Sequence, residues 1–250
     1  MDSSSSLWIL FAVLPFIAFL YASVGHGGAS GYLALMGIVG FSIEIMKPTA
    51  LILNVLVSGI AFIYFWKAGH FRSKIFFAFA AGSVPLSFIG GMIEVEPQLY
   101  KITLGVFLIL ATLKLLGVFD RKSLNEKENV QSPNYMLAVI IGALIGFLSG
   151  LIGIGGGIIL SPVILLLRWS TVKESAAISA LFIFVNSLSG LGGQLVNGIT
   201  LSSESGIMIA LAAVGGLAGS YFGTFKFNNV MLKRVLALVL LFASFKLIII

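Results

Sequence analysis

The sequence predicts an all-α polytopic membrane protein made of two inverted-topology repeats, each a glycine-broken helical hairpin followed by three transmembrane helices. Three observations lead there. Of 250 residues, 59% are apolar and only 10% charged, against roughly 25% charged in a soluble domain, so most of the surface does not face water. The apolar residues fall into ten runs, most of them close to the ~20 residues that a helix needs to cross a bilayer. The two halves of the chain also overlie one another at a nearly constant offset, the mark of an internal duplication.

Taken in order, the first repeat (1–117) opens with runs 7–24 and 29–43, separated by Gly25-His26-Gly27-Gly28. Each glycine costs a helix interior about 0.8–1 kcal/mol relative to alanine, so the helix breaks there and the two runs form the arms of a hairpin. Runs 46–66, 73–92 and 98–117 are the three spans that follow. Residues 118–134 (VFDRKSLNEKENVQSPN) are the one long polar stretch and read as a solvated cytoplasmic linker. The second repeat (135–250) restates the plan: arms 135–152 and 157–169 around Gly153-Ile154-Gly155-Gly156-Gly157, then spans 173–196, 205–225 and 229–249. The first apolar run has no basic residue before it and has a counterpart in the second half, so it is expected to be a structural helix and not a cleaved leader.

The register of the duplication is read from matched residues. An offset of 132 takes Lys101, Ala111 and Lys114 onto Lys233, Ala243 and Lys246, Asn54 onto Asn186, and Ser83, Ser87 and Gly91 onto Gly215, Gly219 and Gly223. Around the glycine motifs the offset is 128. The two small-residue rows on the fourth span of each half are expected to be close helix contacts. Orientation follows from the basic residues. If each half makes an odd number of crossings, Lys67, Arg72, Lys74, Lys114, Arg121, Lys122, Lys127, Arg168, Lys173, Lys226, Lys233 and Arg234 share one face, and only Lys47, Lys101 and Lys246 lie on the other. The positive-inside rule then gives inverted repeats in the cell (inner) membrane with both termini outside. Lys114 and Lys246 fall within the last turn of their helices and are expected to snorkel to the interface.

What the interior can do is set by what it contains. All nine carboxylates (Asp2, Glu44, Glu94, Glu96, Asp120, Glu126, Glu128, Glu174, Glu204) sit at the edges of apolar runs or between two of them, and a carrier of cations ordinarily keeps one in the membrane. The net charge of +6 is a matter of which face the bases occupy, and no nucleic-acid partner is implied. With no cysteine and two histidines, a zinc site lacks its three or four ligands, and no metal or cofactor is expected. No Gly-x4-Gly-Lys-Ser/Thr motif is present to hold ATP.

The two glycine motifs are the candidate polar site. A broken helix leaves backbone N–H groups that lipid cannot satisfy, and the start of the next helix carries about half a positive charge, so two such ends brought together would bind an anion. The substrate-binding candidates are Gly25, His26, Gly27, Gly28, Asn54, Gly153, Gly155, Gly156, Gly157 and Asn186. Each has a plainer reading. The glycines could serve close packing, His26 could satisfy a carbonyl freed by the break, and the asparagines could bridge helices. The presence of the motif at equivalent places in both halves favours the site. Thr49, Ser161, Ser179 and Gln194 are weaker candidates, and His70 lies in a basic loop.

Gly150–Pro162 (GLIGIGGGIILSP), Lys173–Ser179 (KESAAIS) and Asn186–Gly190 (NSLSG) resemble the TauE/SafE family, the sulfite exporters. The resemblance covers nearly the whole chain and implies a secondary transporter, an exporter of small sulfur-containing anions such as sulfite, thiosulfate or organosulfonates. The chain departs from the family's Gly-x-Gly-Gly-Gly pattern at its first motif, which reads Gly-His-Gly-Gly-Ala and leaves the anion's identity open. The expected partners are a small anion and the lipid bilayer, with a homodimer allowed. Alternating access is expected from one repeat rocking against the other. Two other readings compete: an anion channel or a carrier of a non-sulfur organic anion, and, more remotely, an intramembrane serine hydrolase pairing Ser23 or Ser30 with His26. The chain is otherwise expected not to be an enzyme.

Overall fold

A computed structural model describes residues 3–96, 98–100, 130–225 and the single positions 102, 103, 105, 106, 109, 113 and 241. All regular structure among these residues is helical. In chain order the described helices are α1 (Ser3–Ser23), α2 (Ala29–Val39), α3 (Ile43–Lys67), α4 (Ser73–Met92), α5 (Tyr135–Ile152), α6 (Gly157–Leu166), α7 (Val172–Asn197) and α8 (Ser205–Phe225). Five of them, α3, α4, α5, α7 and α8, are long and apolar enough to cross a bilayer, as a multi-pass membrane protein requires. The expected span 229–249 apart from position 241, most of span 98–117 and most of linker 118–134 lie outside the described residues, and so do Lys101, Lys114, Lys233 and Lys246.

The helices end where the sequence supplies stops. The second helix is four residues shorter than its apolar run. Gly40 adopts a left-handed conformation (φ +94°) and its N–H donates to the Met36 carbonyl, so the chain turns before Ser42 opens α3. The sixth also stops short, at Leu166, because Arg168 takes φ +56°, the one positive φ at a non-glycine position among the described residues. The start of α7 is fixed by a capping box: the Glu174 N–H donates to Thr171 Oγ1 (3.4 Å) and the Thr171 N–H to Glu174 Oε2 (2.9 Å). Asn134 opens α5 by accepting the Leu137 N–H.

Packing relies on glycine where two backbones meet. On α4 and α5, Gly142, Gly146 and Gly150 face the carbonyls of Phe79, Ser83 and Ser87, and a Cβ at any of the three would collide with backbone. Both series climb four residues at a time, so α4 and α5 run parallel. The row Gly215, Gly219, Gly223 on α8 meets the carbonyls of Pro15, Phe19 and Ser23 on α1 in the same manner, again in parallel. The small-residue rows are therefore helix seams, as the sequence predicts.

The direction of α7 against α3 is opposite. Leu51 approaches Gly190, Asn54 bonds Ser187, and Gly59 faces Phe184, so one number rises as the other falls. The pattern of neighbouring helices is also unchanged when α1, α2, α3, α4 are exchanged with α5, α6, α7, α8. Thus α4–α5 mirrors α8–α1, α4–α7 mirrors α8–α3, and α2–α3 mirrors α6–α7. The most extensive contacts among the described helices, α4–α5, α1–α8, α4–α7 and α3–α7, all join helices from different halves of the chain. Rocking of one half against the other would have to part these seams, so that expectation does not suit the packing.

Candidate functional site

Both glycine motifs break their helices as expected, and both do so by left-handed residues. Gly25 (φ +76°) and Gly28 (φ +100°) bracket the first break, while Gly153 (φ +86°), Gly155 (φ +73°) and Gly156 (φ +75°) form the second. Side chains with a Cβ are strained in this region, so glycine is required at these five positions on backbone grounds alone. The Gly25–Gly28 and Gly153–Gly157 segments are buried throughout.

The two breaks meet. Gly27 and Gly155 lie against the same two residues, Asn54 near the middle of α3 and Ile183 near the middle of α7. A Cβ on Gly27 would run into the Asn54 amide and, at 2.9 Å, Ile183 Cγ2; one on Gly155 would meet Asn54 Nδ2 at 2.6 Å, Ile183 Cγ2 at 2.8 Å and Ser187 Oγ at 2.9 Å. Asn54 is fully buried and sits between the halves. Its Oδ1 accepts the Ala29 N–H at 2.9 Å, which caps α2 from outside that helix, and its Nδ2 donates to Ser187 Oγ at 3.3 Å. Tyr32, one turn into α2, donates its hydroxyl to the Gly27 carbonyl at 2.9 Å and covers Gly28 with its ring.

His26 stands at the first tip and reaches the second repeat. Its Nδ1 lies 2.9 Å from the Val24 carbonyl and its Nε2 lies 3.2 Å from Ser161 Oγ on α6. Ser161 Oγ is also 3.0 Å from the Gly157 carbonyl and 2.7 Å from Ser179 Oγ on α7, and Ser175 Oγ donates to the Ser161 carbonyl. These serines are at most 3% exposed. The serines of the hydrolase reading are engaged elsewhere: Ser23 donates to the Leu20 carbonyl and Ser30 bonds Tyr21.

Asn186 is not in the meeting point although Asn54, its counterpart, is. Its Nδ2 donates to Ser83 on α4 (3.0 Å) and to the Phe182 carbonyl (2.8 Å), and its buried Oδ1 has no hydrogen-bond partner among the described residues. The second break takes Ile183 and Phe182 as neighbours where the first has Asn54 and Tyr32. Gly157 packs on Ile183, Gly156 on Ile145, Phe182 and Ser149, and a Cβ on Gly153 would lie 3.6 Å from the stem of Lys47. Lys47 is 7% exposed, with its ammonium directed at the Ile93 carbonyl. Thr49, in the second turn of α3, bonds Ser205, and Gln194 and His70 lie away from the breaks.

Ile183, Ser187, Tyr32 and Lys47 are absent from the candidates drawn from sequence. Ser187 follows Asn186 directly and could have been found by asking which face of α7 opposes Asn54. Ile183 and Tyr32 carry no chemical signal in so apolar a chain. The described carboxylates Glu44, Glu94, Glu96, Glu174 and Glu204 stand at helix ends or in connections, and none is buried. The interior chemistry near the breaks is thus amide, hydroxyl and imidazole.

A family model described as sulfite exporter TauE/SafE matches residues 10–247. The chain belongs to the TauE/SafE family. A Sinorhizobium fredii protein named "Probable membrane transporter protein y4hK" is 35% identical over 231 residues, which span 92% of this TauE/SafE chain and 94% of the relative. A Bacillus subtilis protein named "Probable membrane transporter protein YunE" is 27% identical over 184 residues, 67% of the chain and 63% of the relative. No solved structure matches the chain. The family match begins within α1 and runs through both glycine breaks and the described helices that follow.

Proposed function

We propose that this TauE/SafE protein is a secondary transporter that exports small sulfur-containing anions, bound where its two glycine breaks converge. The single observation that carries the reading is the shared platform: Gly27 and Gly155, from breaks 128 positions apart, both rest on Asn54 and Ile183. Among the described residues, the N–H groups of Gly27, Gly28, Gly155 and Gly156 donate to no carbonyl or side chain, and these face a region without carboxylates. An anion's oxygens satisfy such donors, and the starts of α2 and α6 add their positive ends. Asn54 Nδ2 and the Ser187 hydroxyl supply two more donors within the same cluster. We assign Gly25, His26, Gly27, Gly28, Asn54, Gly153, Gly155, Gly156 and Gly157 to this site, and place Asn186 in its support through Ser83.

The antiparallel run of α3 against α7, equivalent helices in the two halves, supports a reading as inverted repeats over 1–117 and 135–250, which, with the basic loops on the inner face, has both termini outside. Because the seams join the halves, the moving parts are the short arms α2 and α6. They make the fewest helix contacts and line both breaks. An uncoupled monoanion would be driven outward by about 2.3 kcal/mol per 100 mV of inside-negative potential. Purified protein in proteoliposomes is expected to show saturable flux and counterflow of sulfite, thiosulfate or an organosulfonate. Conductance without counterflow would instead establish the channel reading. Folded protein that moves none of these anions would overturn the assignment.

A further inference from the structure

Lys47 and Asn54 stand seven residues apart on α3, close to two full turns of an α-helix, so they share a face. That face runs along the second glycine break. A Cβ on Gly155 would meet Asn54 Nδ2 at 2.6 Å, and one on Gly153 would lie 3.6 Å from Cα, Cβ and Cγ of Lys47. At the rise of an α-helix, Lys47 sits about 10 Å from Asn54 toward the start of α3. The offset of 128 pairs Gly153 with Gly25, and a Cβ on Gly25 would meet the Ala176 methyl on α7 at 2.8 Å. A cation therefore borders the second break where a methyl borders the first.

A lysine beside apolar surface ordinarily lays its stem there and keeps the ammonium in water. Lys47 is instead 7% exposed as a whole residue. Its one hydrogen bond among the described residues runs to the Ile93 carbonyl at 3.5 Å, the far limit of such a contact. Two of its three N–H groups therefore meet no acceptor there. Glu94, the carboxylate whose charge reaches it, is exposed and beyond ion-pair distance. The carboxyl end of α5 beside the stem eases the burial of a cation but gives the ammonium no hydrogen bond. The other described bases, Lys67, Arg72, Lys74, Arg168 and Lys173, stand at the opposite end of the bundle, where α3 ends and α4 and α7 start. Lys47 is thus the one described cation beside the breaks, and it has hydrogen-bonding capacity to spare.

Resting on the carrier reading, we infer that Lys47 forms a further anion subsite, one step from the Asn54 cluster toward the end of the bundle where α3 starts. Its ammonium swings from the Ile93 carbonyl to the oxygens of a small oxyanion, which supply the acceptors that its N–H groups lack. A single positive charge attracts a dianion twice as strongly as a monoanion at the same distance. The subsite therefore sets a preference among small anions by charge, with thiosulfate favoured over a monoanionic sulfonate. The first break meets Ala176 at the equivalent place, so the two sides of the site hold the same anion with unequal strength.

The test compares thiosulfate, a dianion, with methanesulfonate, a monoanion, by calorimetric titration of purified full-length protein. In Lys47→Gln, thiosulfate Kd is expected to rise about 10- to 100-fold, the loss of a charged hydrogen bond, and methanesulfonate Kd to rise less. Lys47→Arg is expected to keep the preference for the dianion. Because the chain has no other cysteine, Lys47→Cys offers a rescue: alkylation with bromoethylamine rebuilds a cation of lysine's length and should restore thiosulfate binding, whereas alkylation with neutral iodoacetamide should not. Wild-type protein is also methylated with formaldehyde and a borane, with the sites read by mass spectrometry. Thiosulfate is expected to lower labelling of Lys47 and leave the exposed Lys67 and Lys74 unchanged. Should the variants fail to fold, this protection alone decides. An equal effect of Lys47→Gln on both anions, or equal labelling of Lys47 with and without thiosulfate, would overturn the subsite while leaving the carrier reading standing. Folded wild-type protein that binds neither anion would remove both.

Discussion

Replacing Gly27 with alanine isolates the contact on which the site depends. This glycine does not have a positive φ, so the backbone tolerates alanine and the perturbation is steric. The added Cβ runs into the Asn54 amide and stands 2.8 Å from its Cγ and 2.9 Å from Ile183 Cγ2. Asn54 cannot retreat while holding both the Ala29 N–H and Ser187. Overpacking of this kind costs about 1–3 kcal/mol, and loss of the Asn54–Ala29 hydrogen bond adds about 1 kcal/mol. The expected total is about 2–4 kcal/mol, borne by the conformation in which the two breaks meet on Asn54, and a site that forms only in that conformation loses anion affinity by up to roughly 30- to 1000-fold (1.4 kcal/mol per factor of ten). Binding of thiosulfate by titration and melting temperature by thermal shift are read side by side. Gly206→Ala, which adds a Cβ into open space at the start of α8, is the control and should match wild type in both. The double variant Gly27→Ala/Asn54→Ala removes the obstructing amide and should regain part of the lost stability, a non-additivity expected of residues in contact. Wild-type binding and melting by Gly27→Ala would refute the convergence of the two breaks on Asn54.

The remaining predictions are simpler. Gly219→Val places a branched side chain against the Phe19 backbone and should lower the yield of assembled protein, measured by size-exclusion profile, with no specific change in Kd among molecules that fold. Ser83→Ala removes one of the two acceptors of Asn186 Nδ2; stability should fall by about 1 kcal/mol by thermal unfolding, while anion affinity stays within twofold. Arg72→Ala breaks the Arg72–Glu174 pair, whose side chains are 42% and 24% exposed. The cost should be below about 1 kcal/mol and should vanish at high salt. Because the chain has no cysteine, single-cysteine labelling reports orientation directly: Ser203→Cys should react with an impermeant maleimide on intact cells, and Lys122→Cys only after permeabilisation.

The fold was largely legible because the bilayer imposes length and composition on every span, and most described helices start or end within four residues of their apolar runs. The short arms were visible for a different reason, since clustered glycines cannot continue a helix. Helix ends were less legible. The stop at Leu166 depends on Arg168 taking a left-handed conformation, which no composition rule announces. At the site, the breaks and Asn54 were recoverable from the duplication. Symmetry did not give the position of Asn186: Ile183 of the same helix lies against the second break, and the Asn186 amide donates to Ser83 and Phe182 instead. The interlocking of the halves was not legible for a similar reason: an offset reveals that two segments are alike but not that they interlock.

The paired seams also bear on how much the chain needs to be one molecule. Each of α1–α8 and α4–α5 clasps backbone to backbone across the duplication, with no side chain between to loosen. The described seams lie wholly in α1, α4, α5 and α8, outside the segment 118–134. Protein nicked there after insertion should migrate as an undivided particle, and the two fragments co-expressed from separate messages should find each other and rebuild the carrier.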